Sequence, residues 1–353
     1  MNGCVNGTTP RQGPGFLASF AYSRLAFPVL RRISGVNPLI VYYHVVSDAD
    51  VPHIRHLYQF RTVSQFTRDL DALLKSFRPL SLQEFLGCLA SGQTPRRNTF
   101  LLTFDDGVRE CHDVIAPLLK AKGVPAAFFV CSAFVDNQEL SYEFKKSLLL
   151  GTIKDRKLSR ADEERMCSIM EGAGFRQGDP AAALLQVDYG RKQILERVAE
   201  LLDYDFSSYL RSVRPYLEAA QIGGLLKAGH AVGAHSIDHP RYGELPFEEQ
   251  LRQTFQSVDF VKRRFGVAYG AFAFPNSDAN VSRAFFREVF SRGGVDACFG
   301  NRGLLEDSVG RVIQRTSMEK TAMPAQGILG KAYARRLVRR STGRLIVERN
   351  DAP

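Results

Sequence analysis

The chain of 353 residues carries a formal net charge of +10, with 44% hydrophobic and 24% charged residues. These proportions are typical of a soluble globular protein, and no apolar run is long enough to cross a bilayer. The length suits a single α/β barrel, and apart from its basic charge the sequence shows no nucleic-acid-binding motif, so no nucleic-acid partner is expected.

The N-terminal residues and the cysteines predict a cytoplasmic protein. Residues 1–15 lack the basic start and apolar stretch of a secretory signal, and residues 16–32 are more typical of a helix than of an export signal. The six cysteines are scattered without a CxxC pair, which is typical of free thiols in a reducing compartment. We therefore expect a cytoplasmic location, with residues 1–36 as an N-terminal arm.

Short β-prone runs alternate with apolar residues at helical spacing along most of the chain. The predicted strands are residues 39–43, 99–104, 126–130, 231–234 and 271–274. The predicted helices lie within residues 64–77, 114–123, 222–228, 246–265 and 281–290. Ser64 is the candidate cap of the first helix. Repeated strand–helix units imply a parallel sheet with helices outside it, either open or closed as a barrel.

Two regions depart from this alternation. Residues 136–212 are richer in charge and show helical segments without a clear strand, so we interpret them as an insertion on a barrel domain of residues 37–320. Residues 321–353 form a basic C-terminal extension, in which residues 331–344 contain six Lys or Arg and no acidic residue. With Tyr333 and Leu337 between its charges, this segment could contact an anionic membrane surface. A solvated basic helix is the alternative.

Polar clusters follow three of the predicted strands. They are Asp105 with Asp106, His235 with His239, and Asn276 with Asp278. In parallel α/β folds the carboxyl ends of the strands are where ligands bind and catalytic side chains lie. The three clusters therefore predict one functional site.

The first two clusters have the chemistry of a metal site. Two adjacent carboxylates after an apolar strand are costly to bury without a compensating cation, although Gly107 would also permit a simple turn. His235 and His239 stand four residues apart, close enough to face one point. Two imidazoles and one carboxylate form an open metal site that leaves positions for water and substrate.

These residues lie in motifs that resemble those of a known family. Residues 103–107 (TFDDG) and 235–239 (HSIDH) resemble the first two signature motifs of the polysaccharide deacetylase (NodB-homology) family of carbohydrate esterases. Residues 272–275 (FAFP) resemble the third motif, and the similarity spans roughly residues 39–300 apart from the insertion. The resemblance implies a distorted parallel β/α barrel.

The resemblance also implies the role of each motif residue. Asp105 would be the general base, and a divalent metal, commonly zinc but with cobalt, nickel or iron also suited to such ligands, would be bound beside it. The implied metal ligands are Asp106, His235 and His239. Pro275, Asn276 and Asp278 would hold substrate or the developing oxyanion. Asn276 or Asp278 could instead hold Asp105, and a polar turn is the other alternative for them.

Two features of the family pattern are absent. No histidine follows His239 to act as the catalytic acid, and no arginine lies between residues 271 and 281 to orient the base. His44, at the end of the first predicted strand, is the candidate acid, because the first and last strands of a closed barrel are neighbours. A bond to a loop carbonyl is the alternative for His44. His53 and His56, in the polar loop after His44, are expected to be solvated, although they could line a substrate groove.

The sequence thus predicts a metal-dependent hydrolase that removes N-acetyl groups from hexosamines. The expected substrate is an acetylated amino-sugar polymer or a lipid-linked glycan, as in exopolysaccharide assembly at the inner membrane face. Removal of an O-acetyl ester by the same site is one alternative. A barrel that binds glycan without catalysis is the other.

Overall fold

The computed structural model describes residues 27–156, 158–175, 178–319 and 323–351. Most of the predicted N-terminal arm, with Cys4, lies outside these ranges. The strands are β1 (Leu39–Tyr43), β2 (Arg78–Pro79), β3 (Thr99–Phe104), β4 (Ala126–Val130), β5 (Ala231–Ala234), β6 (Ala271–Ala273), β7 (Ala297–Gly300), β8 (Glu306–Asp307), β9 (Val312–Gln314), β10 (Thr316–Ser317) and β11 (Ile346–Val347). The α-helices are Val63–Leu74, Leu82–Ala90, Ala116–Lys122, Tyr142–Arg156, Arg160–Gly172, Pro180–Leu185, Ile194–Leu201, Phe206–Val213, Ala219–Lys227, Phe247–Phe265, Arg283–Ser291 and Ala325–Ser341.

Nine strands form a parallel sheet that is nearly closed into a barrel. The strand order is β10-β1-β3-β4-β5-β6-β7-β9, with β2 paired to the edge of β3. β9 pairs with β7 and β10 pairs with β1, so the single segment 312–317 joins the two ends of the sheet. Surrounding helices complete the predicted fold class, which is confirmed.

The longer strands β1, β3, β4, β5, β6 and β7 are mostly apolar because both of their faces are buried. Successive side chains alternate between an inner cluster, which contains Ile40 and Leu101, and an outer cluster, which contains Val41 and Leu102. The helix Leu82–Ala90 contributes Phe85 to the inner cluster. Because the period is two, the residue that follows β3, Asp105, continues the inward-facing row of Leu101.

Helix boundaries follow local capping chemistry. The first predicted helix begins after Thr62, whose side chain accepts a hydrogen bond from the backbone N–H of Gln65 in a capping box. The expected cap at Ser64 is therefore wrong by two residues. The helix that follows Asp105 begins with a π-helical turn, Cys111–Ile115, and ends at Gly123, which adopts a left-handed φ of 63°.

The segments predicted to be an insertion and a C-terminal extension are largely helical. Five helices within residues 142–213 lie between β4 and β5, in the region interpreted as an insertion. The C-terminal helix Ala325–Ser341 packs against the helix Val63–Leu74, and its Tyr333 is fully buried, with its ring 5.9 Å from that of Phe27. In the ranges given above, no helix combines the length and apolarity needed to span a membrane.

Candidate active site

Asp105 is held inside the barrel by an arginine from residues 312–317, the segment that joins the two ends of the sheet and that we call the closing segment. Arg315 lies between β9 and β10, and its two Nη atoms each donate to one oxygen of Asp105 at 2.7 Å. Arg315 also donates to Thr103 Oγ1, and both partners of the ion pair are buried. Burial alone would raise the pKa of Asp105, but the charge of Arg315 outweighs it and holds that pKa below its usual value. Asp105 is therefore an oriented, ionised carboxylate.

Asp106 lies beside the two predicted histidines. Its backbone turns into a left-handed conformation, with φ of 69°, and Gly107 follows with φ of 63°. Asp106 Oδ1 lies 3.4 Å from His235 Nε2 and 3.1 Å from His239 Nε2. A Cβ at residue 107 would lie 2.8 Å from Val130 Cγ1, so the turn needs glycine both for its φ and for space. The TFDDG motif thus directs its two carboxylates to different neighbours.

A hydrogen bond on the side of the ring away from Asp106 fixes the orientation of His235. Its backbone N–H donates to the carbonyl of Val130, which continues the β4–β5 ladder. Its Nδ1 lies 2.8 Å from the carbonyl of Ala273, an acceptor, so we assign the ring proton to Nδ1. The unprotonated Nε2 then faces Asp106, as a metal-binding imidazole requires.

Asp106, His235 and His239 form a candidate metal site. One ligand atom from each lies within 4.8 Å of the other two. Among the described residues, buried Asp106 Oδ1 has no hydrogen-bond donor, although two imidazole nitrogens lie close to it. A buried carboxylate oxygen without a donor is costly, and a shared cation would satisfy it. The donor set and this unsatisfied oxygen therefore fit the implied divalent metal.

His44 lines the same cavity as Asp105 and Asp106 and is paired with Glu319. His44 Nδ1 is 2.7 Å from Glu319 Oε2, and the backbone N–H groups of His44 and Val45 donate to Glu319 Oε1. Burial would lower the pKa of His44, but the Glu319 carboxylate, helped by Asp106 and Asp105, raises it to about 9. His44 bonds to a carboxylate rather than to the loop carbonyl of the alternative interpretation.

Tyr58 links His44 to the candidate metal site. Its hydroxyl donates to Asp106 Oδ2 at 3.2 Å, and its ring lies 4.9 Å from the His44 ring. The two contacts place Tyr58 between the candidate acid and a candidate metal ligand. Tyr58 therefore restrains the second oxygen of Asp106 and one face of His44.

These side chains line one cavity of about 560 Å³, a volume suited to a small ligand or a short piece of a polymer. The barrel supplies its polar floor, whereas the predicted insertion supplies part of a wall. The wall residues from the insertion are Ser141, Glu143, Phe144, Lys146 and Leu185. The aromatic rings among the lining residues offer flat apolar surfaces of the kind on which sugar rings can pack.

The residues at the end of the third motif and just after it differ in position: some line the cavity and others lie behind its wall. Asn276, with a left-handed φ of 55°, lines the cavity, and its carbonyl accepts a hydrogen bond from the side chain of Asn301. Asp278 is fully buried and instead accepts hydrogen bonds from Gln314 and Arg349. Pro275 precedes the turn without being among the lining residues. The structure thus brings Asn276 to the site and places Asp278 behind its wall.

The two loop histidines differ from each other. His56 lines the cavity. His53 is 3% exposed, and its Nδ1 lies 2.8 Å from the hydroxyl of Tyr209 in the insertion. The expectation that His53 is solvated is wrong, because the insertion covers the loop that carries it.

Three residues of the site are not found by the sequence reasoning: Tyr58, Arg315 and Glu319. Arg315 fulfils the orienting role for which no arginine exists between residues 271 and 281, but it comes from the closing segment. That segment is too short and too polar to be predicted as a strand. The only local signal for this segment is the β-prone pair Val312 and Ile313, and Arg315 follows that pair by two residues.

Comparison with known proteins agrees with the geometry. A family model described as polysaccharide deacetylase matches residues 92–169 and 176–289, more than half of the chain. The Streptococcus pyogenes deacetylase PplD, solved in complex with acetate, is 14% identical with a TM-score of 0.54, over 82% of this chain and 96% of that chain. IcaB from Ammonifex degensii is 17% identical with a TM-score of 0.50, over 83% and 96%. A comparison with curated protein sequences gave no match. At these identities the two solved structures show a shared fold.

Proposed function

Because the chain belongs to the polysaccharide deacetylase family, we propose that it hydrolyses the N-acetyl groups of hexosamines in an acetylated amino-sugar polymer or a lipid-linked glycan. One observation carries the proposal. An ionised carboxylate, Asp105 held by Arg315, shares a cavity with the candidate metal ligands and with His44. A base, a cation site and an acid around one cavity are the groups that amide hydrolysis needs.

Asp106, His235 and His239 would hold the divalent metal, for which zinc is the first candidate and cobalt, nickel and iron are alternatives. The bound cation would supply Lewis acidity toward a water and toward the acetamide carbonyl. The Ala273 carbonyl keeps His235 Nε2 directed at this site.

Asp105 is the proposed general base. Each of its oxygens accepts one hydrogen bond from Arg315 and keeps a second lone pair for a water proton. The ion pair fixes the carboxylate within the cavity, so its orientation is set before substrate binds. As Asp105 accepts the proton, the water oxygen attacks the acetyl carbonyl carbon.

His44 is the proposed acid for the leaving amine. An amine is a poor leaving group unless its nitrogen is protonated as the C–N bond breaks, and a pKa of about 9 keeps His44 charged at neutral pH. The proton passes from His44 to the amine, and acetate is the second product. The Glu319 pair supports amide rather than ester hydrolysis, because an ester needs a weaker proton donor.

Asn276 is proposed to bind the substrate or the developing oxyanion, because it lines the cavity, whereas Pro275 and Asp278 would support the turn that carries it there. A cytoplasmic location at the inner membrane face also belongs to the proposal. Its support is the exposed positive charge of residues 331–344. Since Tyr333 is buried, this membrane contact would be electrostatic and would not insert that ring.

The test compares acetate release from N-acetylglucosamine oligomers and from O-acetylated oligomers, with metal-reconstituted protein and a His44→Ala variant. Amide hydrolysis should fall roughly 100-fold to 10,000-fold in the variant, the usual contribution of a positioned acid. Ester hydrolysis, if present, should fall less. His112→Ala, at an exposed histidine paired with Asp113, is the matched control.

Three results would contradict the proposal. Unchanged amide hydrolysis by correctly folded His44→Ala would remove His44 from the mechanism. Release of acetate from the ester substrate alone would make the protein an O-acetyl esterase, and oligomer binding without any release would support the glycan-binding alternative.

A further inference from the structure

A second cavity adjoins the active-site cavity. It has a volume of about 470 Å³, and Asn301 and Ser317 line both cavities. Its cationic lining residues are Arg302, Lys331, Arg335, Arg336 and Arg339. Within the described ranges no Asp or Glu lines it. We call this second cavity the basic groove.

The cations of the basic groove are not explained by ion pairs. Lys331, Arg335 and Arg339 recur every fourth residue on the C-terminal helix, so they share one face and extend over about 12 Å. Of the groove cations, Arg336 alone has a carboxylate partner, Glu306, in the part of the chain that the structure describes. Like charges without counter-ions repel one another, so the groove attracts an anion.

The helix dipole accounts for only part of this arrangement. A cation in the last helical turn, such as Arg339, is stabilised by the partial negative charge of the helix C-terminus. That effect falls off within one turn, so it does not reach Lys331 or Arg335. Nor does it act on Arg302, which lies on the loop after β7 and faces the groove from outside the helix.

The two cavities differ in charge. The active-site cavity mixes four carboxylates, from Asp105, Asp106, Glu143 and Glu319, with the basic residues Lys146, Arg241 and His44. The basic groove combines its cations with an apolar floor that includes Leu304 and Ile328. A neutral acetylated sugar suits the first cavity, whereas the second suits an anionic group attached to that sugar or its neighbour.

We propose that the basic groove is a subsite for a phosphate ester carried by the glycan whose acetyl group is removed. Several cations along one wall match the charge of a phosphate or diphosphate better than that of a single carboxylate, and arginine guanidinium groups bind phosphate oxygens in pairs. The inference rests on the proposed function for the identity of the neighbouring sugar. A phosphorylated polymer and a lipid-linked diphosphate glycan present the same chemistry to the groove.

The test is a binding measurement on full-length, metal-reconstituted protein. Calorimetry compares a neutral N-acetylglucosamine oligomer with the same oligomer carrying a terminal phosphate. The parent should bind the phosphorylated oligomer at least about tenfold tighter, and a Lys331→Glu/Arg335→Glu double variant should lose that preference. Arg340→Glu, on the same helix but outside the groove lining, is the matched control and should keep it.

Further arms separate the possible sources of the phosphate. Tighter binding of a polyprenyl-diphosphate N-acetylglucosamine in neutral vesicles than of the soluble phosphorylated oligomer would identify a lipid-linked glycan. The reverse order would identify a phosphorylated polymer.

Three results would overturn the inference: no preference for phosphate in the parent, an equal loss of preference in Arg340→Glu, or binding to anionic phosphatidylglycerol vesicles without binding of the phosphorylated oligomer. The last result would assign the cations to a membrane surface. Because binding is measured apart from turnover, phosphate-selective binding without acetate release would contradict only the proposed function.

Discussion

At the scale of single residues, the backbone around the site departs from ordinary conformations. Asp106, Ser236, His239 and Asn276 all have left-handed φ values, between 55° and 70°. Each such non-glycine residue costs on the order of 1–3 kcal/mol and persists only where its surroundings hold it. The clustering of four around one cavity indicates that side-chain placement at the site is favoured over local backbone stability.

The Arg315–Asp105 ion pair leads to a prediction about stability. Replacing Arg315 by Ala leaves a buried carboxylate without its partner, so the free energy of unfolding should fall by about 3–5 kcal/mol. Urea denaturation measures this change, with the exposed Arg340→Ala as a control expected to stay within about 0.5 kcal/mol. An Arg315→Ala protein as stable as the parent would show that the pair does not fix Asp105.

The His44–Glu319 pair leads to a prediction about pH dependence. The Glu319 carboxylate raises the pKa of His44, and the active acid is the protonated ring, so activity should be lost as the pH rises through that pKa. Glu319→Gln keeps an acceptor for the backbone N–H groups but removes the charge. The pH at which kcat falls on the alkaline side of the pH profile should therefore be lower in the variant than in the parent. A fall at the same pH in both proteins would mean that another group titrates there.

At the scale of elements, the insertion packs on the loop that follows β1 and covers His53. Its burial, with a smaller effect of Arg109, lowers the pKa of His53 from 6.5 to about 3. Below about pH 6.5 the unfolded chain then binds a proton that the folded chain does not. Folding stability therefore falls as the pH falls from about 6.5 toward 3, by at most about 1.4 kcal/mol per unit from this group.

A His53→Leu variant tests this contribution. Its free energy of unfolding, measured by denaturation between pH 4 and 8, should depend less on pH than that of the parent, so lowering the pH should destabilise the parent more than the variant. Parallel curves would show that His53 is protonated in the folded protein.

The elements that sequence reasoning recovers are those whose pattern is local. β1, β3 and β4 are mostly apolar runs because both faces of these strands are buried. Such runs can be predicted as strands without knowledge of the fold. β9 and β10 are two or three residues long and are separated by Arg315. Their strand character comes from pairing with β7 and β1, which is a property of the closed barrel rather than of their own residues.

The same reasoning explains what was found of the site. Asp105, Asp106, His235 and His239 lie in short motifs at strand ends and were located from sequence. Arg315, the partner of Asp105, is 210 residues from it along the chain, and Glu319 is 275 residues from His44. Contacts of that separation depend on barrel closure, so the local sequence around Arg315 or Glu319 does not identify its partner.

At the scale of the whole molecule, the C-terminal segment connects β8 with the loop that follows the third motif. Arg349, which follows β11, bonds to the carboxylates of Asp278 and Asp307, and all three side chains are buried. Asp278 belongs to the loop that begins at Asn276, whereas Asp307 ends β8. The C-terminus therefore supports one wall of the active-site cavity from outside the barrel.

Removing this support should weaken the whole fold. Arg349→Met leaves two buried carboxylates without a cation, so the free energy of unfolding should fall by about 3–5 kcal/mol in urea denaturation. Arg287→Met, at an exposed arginine of the helix Arg283–Ser291, is the control and should change it little. Equal stability of Arg349→Met and the control would show that the C-terminal segment is dispensable for the fold.

The most direct measurement of the central claim is acetate release from N-acetylglucosamine oligomers by metal-reconstituted protein beside an Asp105→Asn variant. We expect release by the parent and a loss of at least about 100-fold in the variant, with the metal content of both proteins equal. Release that survives the substitution, or its absence from a parent protein with metal bound, would contradict the assignment of this site to metal-assisted N-deacetylation with Asp105 as the base.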